Sequence, residues 1–367
     1  MAHVLIVGAG MVGLAVAEEL TRRGVRVDLF ERGREPAREA SWAAAGILSP
    51  LGGAQGPGPM RDLLRWGCPL IFESAARVES SSGMETGRRT SGMLALAFSP
   101  EDERELEREW TWHREAGLNA HRIGASSARE MEPAIDGPVR SALWFPQAAQ
   151  VDNTLLGRAY WETVRRQGGI LHAGVAARRF LIRGDRVIGL ETSEGKVEAD
   201  WVVNCAGSWA GFDDAVGFPI PVIPAKGQLL QYETPAPVFN RMVHSSRAYF
   251  VQRSPGWLIA GTTVEYVGWD TAVTEEARRS IERGAAEISS RIRGLSMETS
   301  WAGLRPDTPD HLPILGPTPL KNLLMAAGHF RSGILLAPLT GRIIADWITT
   351  GSSPVDLTPF SVTRFQR

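Results

Sequence analysis

The first thirty residues alternate between apolar stretches and a glycine-rich turn in a set order. His3–Val7 is short, apolar and β-branched, which predicts a buried strand. After the turn, the apolar spacing over residues 14–23 predicts a helix, and residues 25–30 form a second apolar run that ends at Glu31. The order strand, turn, helix, strand predicts one unit of a parallel sheet.

The same pattern returns later, interrupted by blocks of another character. Helix 153–167 is followed by apolar runs at 170–175, 186–192 and 196–203, and a strand over 323–327 precedes a helix over 333–349. Residues 218–300 instead contain proline-punctuated strands and one helix over 274–293, which is typical of an antiparallel sheet. We therefore expect an α/β fold with two interleaved domains. The first comprises 1–83, 149–217 and 301–367, with a Rossmann-like sheet; the second comprises 84–148 and 218–300, with a mostly antiparallel sheet.

Four further patterns lie within residues 49–103. A glycine- and proline-rich stretch over 49–60 predicts a loop, and residues 61–80 read as a helix. Residues 91–98 predict a strand. Ser99-Pro100 followed by acids predicts the N-terminus of another helix, because serine caps and proline fits the first turn.

Composition narrows the class of protein. The 40 basic and 41 acidic residues give a formal net charge of −1, so no basic field favours nucleic acid or an acidic membrane. The two cysteines, Cys68 and Cys205, are too few for a disulfide framework or a metal cluster. Without an apolar run long enough to span a bilayer, the sequence predicts a cytoplasmic protein that binds no metal, membrane or nucleic acid.

The glycine-rich turn carries the first candidate chemistry. Gly8 suits a tight turn, Gly10 lets a pyrophosphate approach the backbone, and Gly13 lets the helix lie close to the strand. The start of the helix offers free N–H groups and partial positive charge to phosphates. Glu31 is placed to accept hydrogen bonds from a ribose. The motif predicts a dinucleotide site and leaves FAD and NAD open, with an NAD-dependent dehydrogenase as one alternative.

A second helix start, near Gly333, favours FAD. It follows a strand and a small-residue turn, as the first one does. A reduced flavin carries negative charge at its N1/C2=O edge, which backbone N–H groups at a helix start would stabilise. A nicotinamide cofactor has no use for this second terminus.

Five segments together resemble the D-amino-acid oxidase superfamily. They are the glycine-rich turn, Glu31-Arg32, SWAAAGIL at 41–48, WAGLRP at 301–306 and AAGHFRSGILLA at 326–337. The resemblance covers about residues 3–350, and its best match is the glycine oxidase branch, which serves thiazole (thiamine) biosynthesis in bacteria. It implies a two-domain FAD oxidase of glycine, sarcosine and small D-amino acids that reduces O2 to H2O2, and a homo-oligomer, tetrameric in several members.

The resemblance also implies which residues contact FAD. Carried over by motif, with the motif glycines included, they are Gly8, Gly10, Met11, Val12, Gly13, Glu31, Arg32, Ser41, Trp42, Gly46, Ile47, Leu48, Val175, His329, Phe330, Arg331, Ser332, Gly333, Ile334 and Leu335. Related sarcosine oxidases tether flavin through a cysteine after the substrate arginine. No cysteine lies beyond Cys205, so a non-covalent flavin is expected.

Three residues are implied at the substrate. Arg305 would hold the carboxylate, because a guanidinium matches it with two parallel hydrogen bonds. Tyr249 would lie beside that carboxylate and Arg331 near the mouth of the site. No residue suggests an obligatory general base, so direct hydride transfer to flavin N5 is the expected mechanism. The alternatives are that Arg305 merely pairs with Asp307 or Asp310, and that Tyr249 is a sheet aromatic.

The chain departs from the superfamily pattern at Trp42 and in the loop over 49–60, which leaves the preferred substrate open. The alternative functions are an amino-acid dehydrogenase with a quinone acceptor, an oxidase of sarcosine, bulkier D-amino acids or a modified tRNA base, and a non-catalytic flavin-binding module.

Overall fold

The computed structural model describes residues 2–49, 58–253 and 256–366. Most of the loop predicted over 49–60 lies outside the described residues. The helices have the following bounds: α1 (Met11–Arg22), α2 (Ala40–Ala43), α3 (Pro59–Ser82), α4 (Pro100–Glu115), α5 (Ala125–Met131), α6 (Asn153–Arg166), α7 (Glu275–Ile288) and α8 (Gly333–Thr350).

Local sequence explains where several helices begin. Ser99 caps α4 through a hydrogen bond from the N–H of Asp102, whose side chain returns the contact, so the predicted start is confirmed. Asp152 caps α6 by accepting from two backbone N–H groups. α7 is shorter than the predicted helix over 274–293, because it ends at Ile288 and a 3-10 turn, Ser290–Gly294, follows.

A six-stranded sheet contains the first unit predicted from the sequence. Its order is β18 (Ile314–Pro317), β19 (Leu323–Ala327), β12 (Trp201–Asn204), β1 (His3–Val7), β2 (Arg26–Glu31) and β8 (Ile170–Ala173). All neighbours are parallel except β18, which is antiparallel to β19. Residues 4–7 at its centre are buried, as expected for a strand covered on both faces. The Rossmann-like prediction is confirmed.

The second large sheet has eight strands. Its order is β17 (Ser296–Asp307), β13 (Ile223–Thr234), β16 (Gly256–Gly261), β15 (Tyr249–Gln252), β14 (Met242–Ser245), β4 (Met93–Ala97), β6 (Ser141–Phe145) and β5 (His121–Gly124). Only β14 and β4 pair in parallel, so this sheet is mostly antiparallel, as predicted. The domain boundaries remain a prediction; β17 crosses position 301, where one of them was placed.

Two small sheets complete the strands, and they correct one prediction. They are β11 (Gly195–Glu198), β10 (Arg186–Thr192) and β9 (Ala177–Arg183), and the pair β3 (Ile47–Leu48) and β7 (Ala149–Gln150). The single strand predicted over 196–203 was wrong. The chain turns at Ala199-Asp200, where Ala199 N–H bonds to Ile188 in one sheet and Asp200 N–H to His3 in the other.

The two long helices that start near the six-stranded sheet pack closely together. A Cβ placed on Gly341 of α8 would lie 2.6 Å from the carbonyl oxygen of Ala15 in α1, so the two helices meet at their main chains. Their apolar faces join the largest buried cluster, with Leu14, Leu20 and Ile344 fully buried. Within the described residues, no helix is both long and apolar enough to cross a membrane.

Candidate active site

A cavity of about 680 Å3 lies between the carboxyl ends of β1, β2 and β19 in the six-stranded sheet and strands of the eight-stranded sheet. Its wall combines the start of α1, the segment before β3, the start of α8 and the strands β13 to β17. This volume is within the range of about 300–1,000 Å3 typical of ligand sites. No group of side chains within the described parts of the chain is arranged to hold a metal ion.

The glycine-rich turn at one end of the cavity cannot accept side chains at two positions. A Cβ on Gly13 would lie 2.0 Å from the carbonyl oxygen of Gly8, and a Cβ on Gly8 would lie 2.6 Å from that of Cys205. At Gly10, by contrast, the nearest atom is Ser41 Oγ at 3.5 Å. Gly13 therefore serves the packing of α1 on the turn, while Gly10 leaves open space on the cavity wall.

Glu31 shapes this turn from the end of β2. Its carboxylate accepts from the N–H of Ala9 (3.0 Å) and from that of Gly33 (2.7 Å). The glycine-rich turn and the turn that follows β2 are thus tied to one buried side chain, which retains further acceptor positions. Arg32 next to it lies 3.5 Å above the Trp209 ring and donates to Glu39 (2.7 Å).

Long side chains hold residues 41–46 along the cavity. Arg253 donates to the carbonyl of Ala45 and lies against Gly46, where a Cβ would also strike Val151. Asn153 donates to the carbonyls of Ser41 and Trp42 at 2.7 and 2.6 Å. The segment therefore presents small residues and backbone to the cavity in a fixed position.

The start of α8 forms the opposite wall. Phe330 has φ of 47°, and its N–H donates to the carbonyl of Pro306 (2.7 Å), which joins the turn to β17. Ser332 precedes α8 without a side-chain capping bond. His329 is 2% exposed, and its Nε2 lies 2.9 Å from Thr340 Oγ1. Neither helix start at the cavity is thus capped by its N-cap side chain.

Arg305 and Tyr249 come together on the cavity side of the eight-stranded sheet. Arg305 Nη2 donates to Thr262 Oγ1 (2.9 Å) and Nη1 to the carbonyl of Thr263 (3.1 Å). Burial raises the pKa of the Tyr249 phenol, while Arg305 and Thr262 lower it, and the net shift is upward. The phenol therefore stays protonated at neutral pH, so a hydroxyl donor lies close to a guanidinium.

The alternative that Arg305 merely pairs with a nearby acid is wrong. Asp307 accepts from the Tyr266 hydroxyl (2.6 Å) and lies 2.8 Å from His311 Nδ1. Asp310 pairs with Arg364 at 2.8 Å. Within residues 2–49, 58–253 and 256–366, no carboxylate contacts Arg305, so its charge is available to a ligand.

Two glycines that the sequence analysis did not single out leave the space in which the side chains of Arg305 and Tyr249 come together. A Cβ on Gly227 of β13 would lie 2.1 Å from Arg305 Nη1, and one on Gly261 of β16 would lie 2.7 Å from the Tyr249 ring. Since β13 and β16 are the two strands between β17 and β15, Arg305 reaches across one and Tyr249 across the other. Antiparallel register, which the sequence does not reveal, brings these positions together.

His244 is a further cavity residue that sequence reasoning missed. It lies opposite Tyr249 in the register of β14 and β15, and the two rings are nearly parallel with centroids 6.4 Å apart. Burial, and then the charge of Arg331, lower the pKa of His244 to about 4, so the imidazole is neutral in this site. Arg331 itself is exposed, lines the cavity and lies beside the Phe330 ring.

Most of the residues implied to contact FAD line this single cavity. The exceptions are Gly13, Trp42, Leu48 and Val175, which do not form part of its wall. Leu48 and Val175 are buried in hydrophobic clusters, and the Trp42 ring lies against Trp301. At the start of α1 the N–H of Met11 donates to Ser41 Oγ (2.9 Å), while neither N-cap residue, Gly10 or Ser332, caps its helix with its own side chain. Open space at Gly10, further acceptor positions on Glu31 and these two helix starts fit a long, flat dinucleotide with a pyrophosphate.

Comparison with known proteins decides the class of cofactor. The family model for DAO, described as FAD dependent oxidoreductase, matches residues 3–347. The chain belongs to this family. The choice between FAD and NAD is thereby settled for FAD, and the predicted resemblance is confirmed.

Individual members of the DAO family match almost the whole chain. A glycine oxidase of Pseudomonas aeruginosa is 32% identical over 362 residues, which is 98% of each chain. The crystal structure of glycine oxidase from Geobacillus kaustophilus superposes with a TM-score of 0.94 at 31% identity, covering 99% of both chains. A bifunctional ThiO/ThiG protein of Nostoc is 32% identical, but this chain covers only 55% of its length.

Gly227→Ala is expected to weaken the binding of small carboxylates by roughly tenfold, since the new methyl displaces the Arg305 guanidinium from its hydrogen bonds. The fold should survive, because the atoms struck are the end of a flexible side chain. A titration of the FAD-loaded protein with acetate, followed by flavin absorbance, measures the effect. Gly294→Ala is the matched control, because no atom lies within 4 Å of a Cβ there. Equal affinities in the two variants would contradict the prediction.

The buried imidazole of His329 predicts a loss of stability in acid. Burial lowers its pKa from 6.5 to about 4, so between these values the unfolded chain binds a proton that the folded chain does not. The free energy of unfolding should therefore fall as the pH drops through that window, by about 3 kcal/mol from this group. Urea unfolding of His329→Gln from pH 7 to 4.5 should show a shallower decline than wild type, and exposed His121→Gln should not. Matching slopes in wild type and His329→Gln would refute the assignment.

Proposed function

We propose that this chain is an oxidase of glycine and other small amines and amino acids, including sarcosine and small D-amino acids. The observation that carries the proposal is the guanidinium of Arg305, which faces the cavity beside a protonated Tyr249 and touches no carboxylate of the described chain. A substrate carboxylate would supply the counter-ion that Arg305 lacks within the described chain. The similar chains named glycine oxidase support the same substrate class.

Arg305 would bind the substrate carboxylate with two parallel hydrogen bonds, and the Tyr249 hydroxyl would donate to the same group. Arg331, at the mouth, would add attraction for the incoming anion. FAD supplies the acceptor for two electrons when it is bound. Arg305 and the protonated Tyr249, the two side chains placed at the carboxylate, cannot accept a proton, and the lowered pKa of His244 makes this imidazole a weak base. These properties favour direct loss of hydride from the neutral amine.

For the cofactor, we propose that the Gly8–Gly13 turn and the start of α1 hold the pyrophosphate and that Glu31 holds a ribose. The small residues at 41–46 would lie along the flavin ring, and residues 329–335 at the start of α8 would face its electron-rich edge. We also propose the cytoplasm as its location and a homo-oligomer, tetrameric by resemblance, which light scattering after gel filtration would test.

A peroxide assay under air tests the reaction. Glycine, O2 and water should give glyoxylate, ammonia and H2O2 in equal amounts, and a screen of small amines and of D- and L-amino acids would rank the substrates. The alternative dehydrogenase would bleach its flavin with glycine under anaerobic conditions yet form no peroxide in air. Failure of every substrate to bleach the flavin would overturn the proposal.

The flavin is expected to leave the protein on acid precipitation. Burial raises the pKa of the Cys68 thiol to about 12 and raises that of Cys205 as well, so neither thiol readily forms the thiolate that a covalent link would need. The measurement is the division of yellow colour between supernatant and pellet. Colour that stays with the pellet, and is lost from it in Cys205→Ser, would contradict this expectation.

A further inference from the structure

Lys226 places a buried charge on β13, the strand next to the edge strand β17 of the eight-stranded sheet. Its side chain is 1% exposed, and its Nζ lies 3.0 Å from Asp270 Oδ2 and 3.6 Å from Glu265 Oε2. It also donates to the carbonyl of Ala272 (3.0 Å). A buried ammonium is costly unless it is paired, so these three acceptors are held firmly against β13.

All three acceptors belong to the loop over residues 262–274, which joins β16 to α7. The backbones of Lys226 and Glu265 exchange two hydrogen bonds, of 2.8 and 2.9 Å. Gln228, the next residue on the same face of β13, donates to Glu265 Oε1 and accepts from the N–H of Thr274, both at 2.8 Å. The loop is therefore fastened to β13 from its middle to its end.

The start of the same loop orients Arg305. Both hydrogen bonds that the guanidinium makes within the described chain go to Thr262 and Thr263. Thr262 Oγ1 donates in turn to the carbonyl of Gln228 (3.1 Å), and the N–H of Gln228 donates to Thr263 Oγ1 (3.1 Å). The direction of the guanidinium thus depends on how this loop lies on β13.

We propose that Lys226 is a positioning residue that fixes the Arg305 guanidinium through the 262–274 loop. The proposal rests on the proposed function in one respect, the role of Arg305 in holding a carboxylate. Loss of the ammonium leaves Asp270 and Glu265 without their cation, so the loop moves away from β13 and the guanidinium loses its fixed direction. Ligands with a carboxylate then bind more weakly, whereas amines without one are unaffected.

The test is the affinity of FAD-loaded Lys226→Met for acetate, measured from the flavin absorbance at equilibrium, with no turnover involved. We expect the Kd to rise at least tenfold, while the KM for glycine ethyl ester, which lacks the carboxylate charge, changes by less than twofold. Lys321→Met is the matched control, because that lysine is exposed and pairs with Asp185 on another part of the surface. Should Lys226→Met fail to fold, Asp270→Asn replaces it, with a smaller rise of about threefold expected.

A double variant separates positioning from a general effect on the fold. In an Arg305→Met background, Lys226→Met should change the acetate Kd by less than twofold, because nothing is left to position. An unchanged Kd in Lys226→Met, or an equal loss in both backgrounds, overturns the inference and leaves the proposed function standing. If Arg305→Met alone leaves acetate binding intact, the role of Arg305 fails, and the proposal for Lys226 fails with it.

Discussion

Arg305→Met is expected to raise the KM for glycine at least tenfold while FAD stays bound. The guanidinium is half-buried, lines the cavity and has no carboxylate partner among the described residues, so a substrate carboxylate would become its counter-ion. Removing one partner of such a hydrogen-bonded charge pair costs on the order of 2–5 kcal/mol. Steady-state kinetics on glycine, with the flavin-to-protein absorbance ratio recorded in parallel, measure both parts of the expectation.

Arg279→Met is a suitable control for Arg305→Met. This arginine lies on α7, is 64% exposed and pairs with Glu275 on the same helix. Its loss should leave both KM and flavin content as in wild type, since an exposed pair contributes little to stability. Wild-type kinetics in Arg305→Met would remove that residue from substrate binding, and loss of flavin from it would show that it serves the cofactor instead.

Gly10→Ala is expected to lower the affinity for FAD at least tenfold and to leave the FAD-free fold intact. Gly10 has φ of −70°, which alanine adopts without strain, and the new methyl meets only Ser41 Oγ at 3.5 Å. The methyl would occupy the space on the cavity wall through which a pyrophosphate approaches the backbone. Fluorescence titration of the FAD-free protein with FAD gives the affinity, and thermal unfolding without FAD tests the fold.

Gly13→Ala should behave differently from Gly10→Ala. A Cβ there would lie 2.0 Å from the carbonyl oxygen of Gly8, so the turn or the helix must move and the FAD-free protein should be destabilised as well. The contrast between the two variants separates space left for a ligand from space required by packing. Full FAD affinity in Gly10→Ala would mean that the turn does not hold the pyrophosphate.

The first unit of the fold was predictable because its signals are local. Apolar runs, the glycine-rich turn and Glu31 follow one another within a short stretch of chain, and the strand–turn–helix order admits few arrangements. Strand β9 was not predicted, because in Ala177–Arg183 only Phe180 is fully buried and charged residues occupy most outward positions. A strand of such a small sheet has too few buried apolar residues to be predicted from hydrophobic periodicity.

The candidate site likewise contains some residues that were predictable from local sequence and others that were not. Arg305 and the start of α8 lie in motifs that can be recognised in the sequence. Gly227, Gly261 and His244 lie in ordinary-looking strands, and only the register of the antiparallel sheet brings them beside Arg305 and Tyr249. The partners of Lys226 likewise lie on a loop that packs against β13 although it is some forty residues further along the chain. Contacts between distant strands are decided by packing that no local pattern records.

On the proposed binding mode, the contact of Gly341 with Ala15 would let the protein distinguish cofactors of different length. Because α1 and α8 touch main chain to main chain, their close packing sets the span between the two helix starts. On the proposed binding mode, the adenylate half of FAD is needed to reach from one start to the other. FMN, which lacks that half, would engage only the α8 end. Discrimination against it would then come from a helix crossing remote from the redox ring, with no side chain required to reject the shorter molecule.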